Sequence, residues 1–367
     1  MNKALVLGFV GDAISSAQQE PFRYSQKQVK NLAGVTVKYQ PIQSFAEAVE
    51  TCKKDESDAY FLMPFWNEDP KLVAEAVHEI RAIKPDQSII FIDPFAQTSS
   101  RFFSILPDVN YFLKRQSYRN LSDYCQPIMG GMQLTHYLAE TQGYDLMGWH
   151  VGSEVPKGYE HRIIPGWNLG TAKKFKHLLL RPRYFPQPAK QFDIFCRMSL
   201  GSRDKKEWYY KYRSSAVNAL DPLTHDYQVK YSGGFEQGGL VSQRQYFREL
   251  RSSKLIFSPF GWGETCWRDF EAVCYGGLLI KPSMEHIDTE PNIFIPGETY
   301  VPVAWDFSDL ESKCHYYLEH PEEATRIAKN AQEVYRAYFK NNEFAKKIKH
   351  LTQLDTALKG AASYASR

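Results

Sequence analysis

The sequence predicts an α/β protein: two doubly wound domains of alternating strands and helices face each other across a cleft, and a long C-terminal helix closes the second. Three observations lead there. Apolar runs of strand length alternate with stretches of helical spacing from Ala4 to Ile92, and again from Phe192 onwards. Between Lys254 and Lys281 a strand, a glycine turn, a helix and a second strand follow without a break. From Pro321 the chain reads as almost continuous helix to about Leu358. At 367 residues it is too long for one small core. The expected units are residues 1–187, residues 188–340, and a helix over 341–367 that can cross back to the first unit.

The elements follow in order. Ala4–Val10, Val35–Tyr39, Ala59–Met63 and Ser88–Ile92 are the strands of the first half. Ser44 is placed to cap a short helix through Cys52, with Glu47 completing a capping box. A helix over Lys71–Ile83 stops at Lys84-Pro85. Phe112 to Tyr124 is mixed, and Gly130-Gly131 breaks the chain. Thr171 to Gln191, rich in Lys, Arg and Pro, reads as a helix plus linker. In the second half Phe192–Cys196 and Tyr227–Tyr231 are strands, the latter ending at Gly233-Gly234. Lys206–Leu220, Gln243–Ser252 and Asp309–Leu318 are helices.

Composition narrows the classes. Hydrophobic residues at 43% and charged ones at 24% describe a folded chain rather than a disordered one. A net charge of +3 is too small to argue for a nucleic-acid partner. Cysteines at 52, 125, 196, 266, 274 and 314 have neither CxxC pairing nor zinc spacing and read as free thiols of a reducing compartment. No apolar run is long enough to cross a membrane, so a cytoplasmic protein is expected. Lys173 to Phe185 interleaves basic and apolar residues as a membrane-surface segment does, although a linker helix is the simpler reading.

The run Ser258-Pro259-Phe260-Gly261-Trp262-Gly263-Glu264-Thr265-Cys266-Trp267-Arg268-Asp269-Phe270-Glu271-Ala272 carries the chemistry. A strand, a glycine turn and a helix N-terminus leave free N–H groups and a favourable dipole for an anion. With the helix beginning near Glu264, residues 264, 268 and 271 share one face. Arginine suits a phosphate, and a carboxylate one turn on suits ribose hydroxyls. The bland alternative is a surface ion pair between Arg268 and Glu271. Yet Cys266, Trp267, Phe270, Val273 and Tyr275 make this helix apolar around most of its circumference, and a buried helix keeps charges only with partners. The residues describe a nucleotide pocket.

On Gly261, Gly263, Glu264, Arg268 and Glu271, followed by Gly276-Gly277-Leu278-Leu279-Ile280, the chain resembles the GT-B glycosyltransferases of the exostosin-like and group 1-like superfamily. The stretch Pro302 to Leu310 resembles a downstream segment of the same enzymes. That resemblance implies two Rossmann-like domains. The C-terminal one binds a nucleotide-sugar donor, a UDP- or GDP-sugar, and the N-terminal one receives a glycan, lipid-linked or protein-glycan acceptor. Many such enzymes space two glutamates eight positions apart, whereas Glu264 and Glu271 are seven apart. Glu271 is carried over as the ribose ligand, with Glu264 and Thr265 beside it in the donor site. No Asp-x-Asp triplet occurs, so transfer without a metal or other cofactor is expected, the diphosphate being met by Arg268 and further basic residues. Arg197 and Arg203, after the Phe192–Cys196 strand, and Lys281, at the end of the strand beyond the motif, are the candidates.

An inverting transfer also needs a base for the acceptor hydroxyl. Asp93 and Asp12, each at the C-terminal end of a strand, are the candidates, although either also suits a turn. His150 and His161 are weaker ones, and Lys114-Arg115 is placed to attract an anionic acceptor, although a solvated surface charge pair is the simpler reading. Two other classes stand beside the transferase. One is a non-catalytic nucleotide-sugar or glycan-binding protein. The other is a nicotinamide-dependent oxidoreductase, for which Gly8 and Gly11 supply only G-x-x-G.

Overall fold

The computed structural model describes residues 2–9, 11–181, 189–201, 207–232 and 241–352. The first half runs β1 (Asn2–Phe9), α1 (Ala13–Tyr24), α2 (Gln26–Ala33), β2 (Val35–Ile42), α3 (Phe45–Lys54), β3 (Ala59–Met63), α4 (Pro70–Ile83) and β4 (Ser88–Ile92). It continues through β5 (Tyr111–Lys114), β6 (Gln116–Tyr118), α5 (Gln133–Glu140), β7 (Ile163–Pro165) and α6 (Lys173–Leu180). Six strands form a parallel sheet in the order β2-β1-β3-β4-β5-β7. β3 and β4 are buried along their whole length, which explains why both are unbroken apolar runs: a parallel sheet is covered on both faces.

The second half runs β8 (Phe192–Cys196), α7 (Trp208–Asn218), β9 (Val229–Tyr231), α8 (Gln243–Arg251), β10 (Ser253–Phe257), α9 (Trp267–Cys274), β11 (Leu278–Pro282), β12 (Ile287–Thr289), β13 (Val301–Val303), α10 (Leu310–Glu319) and α11 (Pro321–Lys340). Its five-stranded sheet, β13-β11-β10-β8-β9, is also parallel. Gly233-Gly234 and residues 353–358 of the expected terminal helix lie outside the described residues.

Two departures from the sequence reading have physical causes. α1 and α2 fill residues 13–33, to which the sequence reading assigned no element. The Asp12 carboxylate starts α1 by accepting the N–H groups of Ile14 (2.7 Å) and Ser15 (2.9 Å), and Pro21 lies inside the helix. The C-terminal helix is not continuous. Asn342 takes a left-handed φ of 55° after α11, and helix resumes over 343–352. The break turns the chain onto the first half, where the Phe344 ring packs edge-on against Phe22 (5.2 Å) and Trp167 (4.9 Å).

A third, two-stranded sheet joins the halves: β6 of the first pairs antiparallel with β12 of the second. Beside it Asn168 Nδ2 donates to Thr289 Oγ1 (2.6 Å) and to the Pro291 carbonyl (3.1 Å). α6 turns Phe175 inward against Trp267, Phe270 and Tyr335 and buries Leu179, as a linker helix does, while residues 182–185 lie outside the described set. Among the described residues no helix is long and apolar enough to cross a membrane.

Candidate active site

The motif folds as strand, turn, helix and strand, but the helix starts later than its spacing implies. Cys266 is the N-cap of α9, and Asp269 closes a capping box by accepting the Cys266 N–H at 2.8 Å. Glu264 therefore stays in the turn, so residues 264, 268 and 271 do not share one helical face. The end is as expected. Gly276 adopts a φ of 68°, its N–H bonding the Val273 carbonyl and that of Gly277 the Ala272 carbonyl, a Schellman closure only a glycine makes without strain.

Arg268, on the first turn of α9, is buried. Its Nε donates to Ser258 Oγ (3.1 Å) and one terminal nitrogen to the Arg197 carbonyl (2.7 Å), while the other, Nη2, is buried with no partner. Arg213, projecting from α7, joins it. Arg213 donates to the carbonyls of Phe260 (3.3 Å) and Ser199, and its Nη2 is close enough to Gly261 that a Cβ there would crowd it. Among the described residues every hydrogen-bond acceptor of the two guanidiniums is a neutral oxygen. Burial, with the like charge of Arg268 adding to it, pushes Arg213 below its ordinary value. Two adjacent buried cations that bond only hydroxyl and carbonyl groups among the described residues have the chemistry to hold an anion with several oxygens.

One turn on, Glu271 accepts from Lys174 Nζ and from the Tyr246 hydroxyl, both at 3.0 Å. Burial first, and the Glu271 charge next, push the Tyr246 phenol up, so it remains a donor. Lys174 also rides 4.0 Å over the Trp267 ring. These groups line an open cavity of about 520 Å³ between the halves, walled by Ala13, Ala17 and Glu20 on one side and by Tyr246, Phe247 and Trp267 on the other.

Glu264 and Thr265 face the first half. Thr98 Oγ1 (3.3 Å) and Gln116 Nε2 (3.0 Å) donate to the Glu264 carboxylate, and Thr265 Oγ1 donates to Gln116 Oε1 (3.0 Å). Gly263 lies so close to the first half that a Cβ would overlap the Ala96 carbonyl. His286, preceding β12, brings Nε2 to 3.9 Å from Glu264, and both of its ring nitrogens are buried without a hydrogen-bond partner. Burial raises the Glu264 carboxyl, but His286 and the donors around it outweigh burial and hold it below its ordinary value.

Other expected residues are placed differently. Arg197 is engaged at both ends of its guanidinium with Glu249 and also with the Tyr231 carbonyl (3.0 Å), so only its own carbonyl reaches Arg268. Lys281 is fully buried in an ion pair with Asp269 (3.2 Å), as a sheet-end lysine. Arg203 lies outside the described residues. Neither aspartate is placed as a base. Asp12 is the N-cap of α1 and also accepts the Ser15 hydroxyl (2.7 Å). Asp93 is wholly buried against Lys114 and Ser100 (3.0 Å). Burial pushes that carboxyl up and the Lys114 ammonium down, with their mutual attraction opposing both. Lys114 and Arg115, expected at the surface, are both buried, and Arg115 donates to the Pro94 carbonyl. His150 and His161 are exposed. Sequence reasoning missed Arg213 and His286. Arg213 had a legible signal, because Trp208-Tyr209-Tyr210-Lys211-Tyr212-Arg213 sets a charge in an aromatic helix, the pattern that singled out Arg268.

Residues 189–350 match a family model described as glycosyl transferase-like. No curated protein matches the chain. Among solved structures it is similar to an α-glucosyltransferase (AGT) in complex with UDP, with 10% identity and a TM-score of 0.53 over 96% of this chain and 100% of that one. It is also similar to a glycosyltransferase from Rickettsia africae ESF-5, with 11% identity and a TM-score of 0.50 over 97% of this chain and 98% of that one. Identities this low speak for the fold, while the family model speaks for the chemistry of the second half. The second half thus carries a match to a glycosyl transferase-like domain, inside a two-domain GT-B fold that the chain shares with solved glycosyltransferases along nearly its whole length.

Proposed function

We propose that the protein moves a sugar from a nucleoside-diphosphate sugar to a glycan, lipid-linked or protein-glycan acceptor in the cytoplasm, without a metal ion. The observation that carries the reading is the pair Arg268 and Arg213, two buried guanidiniums whose hydrogen-bond partners among the described residues are neutral, Arg268 with an unpartnered Nη2 and Arg213 with its Nη2 beside Gly261 of the turn. Departure of the nucleoside diphosphate builds negative charge on the leaving phosphate, and fixed cations in a dry site stabilise that charge most effectively. Glu271, at the wall of the interdomain cavity, takes the ribose hydroxyls in place of its bonds to Lys174 and Tyr246. The structural relative described in complex with UDP makes UDP the first base to test. We assign acceptance of the acceptor's proton to His286, with Glu264 beside it, because its ring nitrogens make no hydrogen bond whereas both candidate aspartates are engaged.

Thermal shift against UDP, GDP, CDP, ADP and NADH, with and without EDTA, tests this on the parent, Arg268→Ala and Arg213→Ala. The expected result is stabilisation of the parent by one nucleoside diphosphate, indifferent to EDTA and lost in both variants. No shift with any diphosphate, or a shift with NADH alone, defeats the donor site. A shift abolished by EDTA defeats the metal-free mechanism.

A further inference from the structure

We propose that Trp262 is a pyranose-stacking platform, an aromatic face on which the transferase site holds a hexose ring. The inference rests on the donor reading above, since it sets the ring beside the diphosphate site. Trp262 lies between Gly261 and Gly263 in the turn and is 45% exposed. Tyr209 lies 4.7 Å from it at an interplanar angle of 16°, and Trp208 meets it edge-on at 6.3 Å. Those two rings are only 3% and 2% exposed, so they support Trp262, which carries the open surface. The turn is braced: Gly261 N–H bonds the Gly263 carbonyl at 3.0 Å, and Gly263 abuts Ala96. An aromatic ring held in place before binding costs little ordering when a ligand arrives.

The location selects the ligand class. The Arg213 guanidinium carbon lies 4.6 Å from the centre of the same Tyr209 ring. One tyrosine therefore touches both the anion-binding arginine and Trp262. A sugar esterified to the terminal phosphate of a diphosphate held by Arg213 lies one pyranose ring away, within reach of Trp262. A pyranose offers an apolar C–H face framed by hydroxyls, which suits a fixed indole face better than a phosphate or a charged peptide does. Trp149, from the first half, stands 6.0 Å from Trp262, so the platform borders the region that receives the acceptor. A donor hexose and an acceptor hexose share this chemistry.

Tryptophan fluorescence and calorimetric titration separate the two sources. UDP, GDP, UDP-glucose, UDP-N-acetylglucosamine, GDP-mannose, maltotriose and cellotriose are titrated into the parent, Trp262→Phe and Trp262→Ala, with Tm recorded for each. We expect at least one sugar-bearing ligand to change the parent's fluorescence beyond the change its bare diphosphate gives. Trp262→Ala removes that extra signal and weakens the same ligand about 10-fold, leaving the diphosphate Kd unchanged, while Trp262→Phe stays within about 3-fold. An effect on nucleotide sugars alone marks the donor hexose, and one on the trisaccharides alone marks the acceptor. The proposal is overturned if no sugar-bearing ligand perturbs the parent, or if Trp262→Ala weakens none of them. It is also overturned if diphosphate affinity and Tm fall together with sugar affinity, which makes Trp262 a staple between the halves. Failure of the parent to bind any diphosphate is a separate outcome and defeats the donor reading itself.

Discussion

Two sets of buried or part-buried charge stand in this molecule in opposite states. In the first, each cation meets a carboxylate of its own chain: Lys114 with Asp93, Lys281 with Asp269, Arg197 with Glu249. In the second, Arg268 and Arg213 bond only hydroxyl and carbonyl oxygens among the described residues. All five cations are of types that phosphate sites use. The contrast teaches that burial of a cation near a cleft is weak evidence for function, and that the identity of its partner decides. A neutralised cation is architecture, whereas one lacking a counter-charge awaits an outside anion.

The contrast can be broken by mutation. The largest expected effect is structural. Asp93→Ala leaves the Lys114 ammonium buried without its carboxylate and lowers stability in urea by about 3–5 kcal/mol, whereas the double change Asp93→Leu with Lys114→Met recovers most of the loss. Next comes the opposite case. Arg268→Met leaves the urea midpoint unchanged or higher, because it removes a buried charge that no carboxylate among the described residues bonds directly, yet weakens diphosphate binding by about 1.5–3 kcal/mol in calorimetry. If Arg268→Met unfolds the protein as Asp93→Ala does, the distinction is lost.

A smaller effect sharpens the division of labour along α9. Glu271→Gln weakens UDP about 5–10-fold and leaves inorganic pyrophosphate unaffected, since its proposed contact is to the ribose. Equal weakening of both ligands removes the ribose assignment. The smallest effect is on pH. Glu264 is held below its ordinary value when folded, so its contribution to stability is complete above the ordinary glutamate range and is lost as pH falls through the lower folded value. Glu264→Gln therefore flattens the acid limb of the urea midpoint against pH, and an unchanged limb contradicts the assignment.

What the sequence showed and what it hid divide along the same line. The buried strands β3 and β4 were legible because a parallel sheet covered on both faces leaves near-continuous apolar runs. Arg268 and Glu271 were legible because charge is anomalous in an apolar helix. Partners were not. Arg197 looked free until Glu249, 52 residues away, closed on it. Glu264 looked helical because a capping box at Cys266 and Asp269 leaves no trace in periodicity. The β6–β12 seam, three residues to a strand, is too short for any pattern to register.

Clearance between the two halves is set by atoms that are missing. At one point of the interface the Gly263 backbone abuts the Ala96 carbonyl, and at another Gly170 abuts the Phe270 ring, so that a methyl group at either would overlap its neighbour. Each glycine thus acts as a shim of the thinnest possible gauge. A single carbon added at residue 263 or 170 works as a wedge, so the closeness of the two sheets, and with it the width of the space that substrates share, is written in residues without side chains.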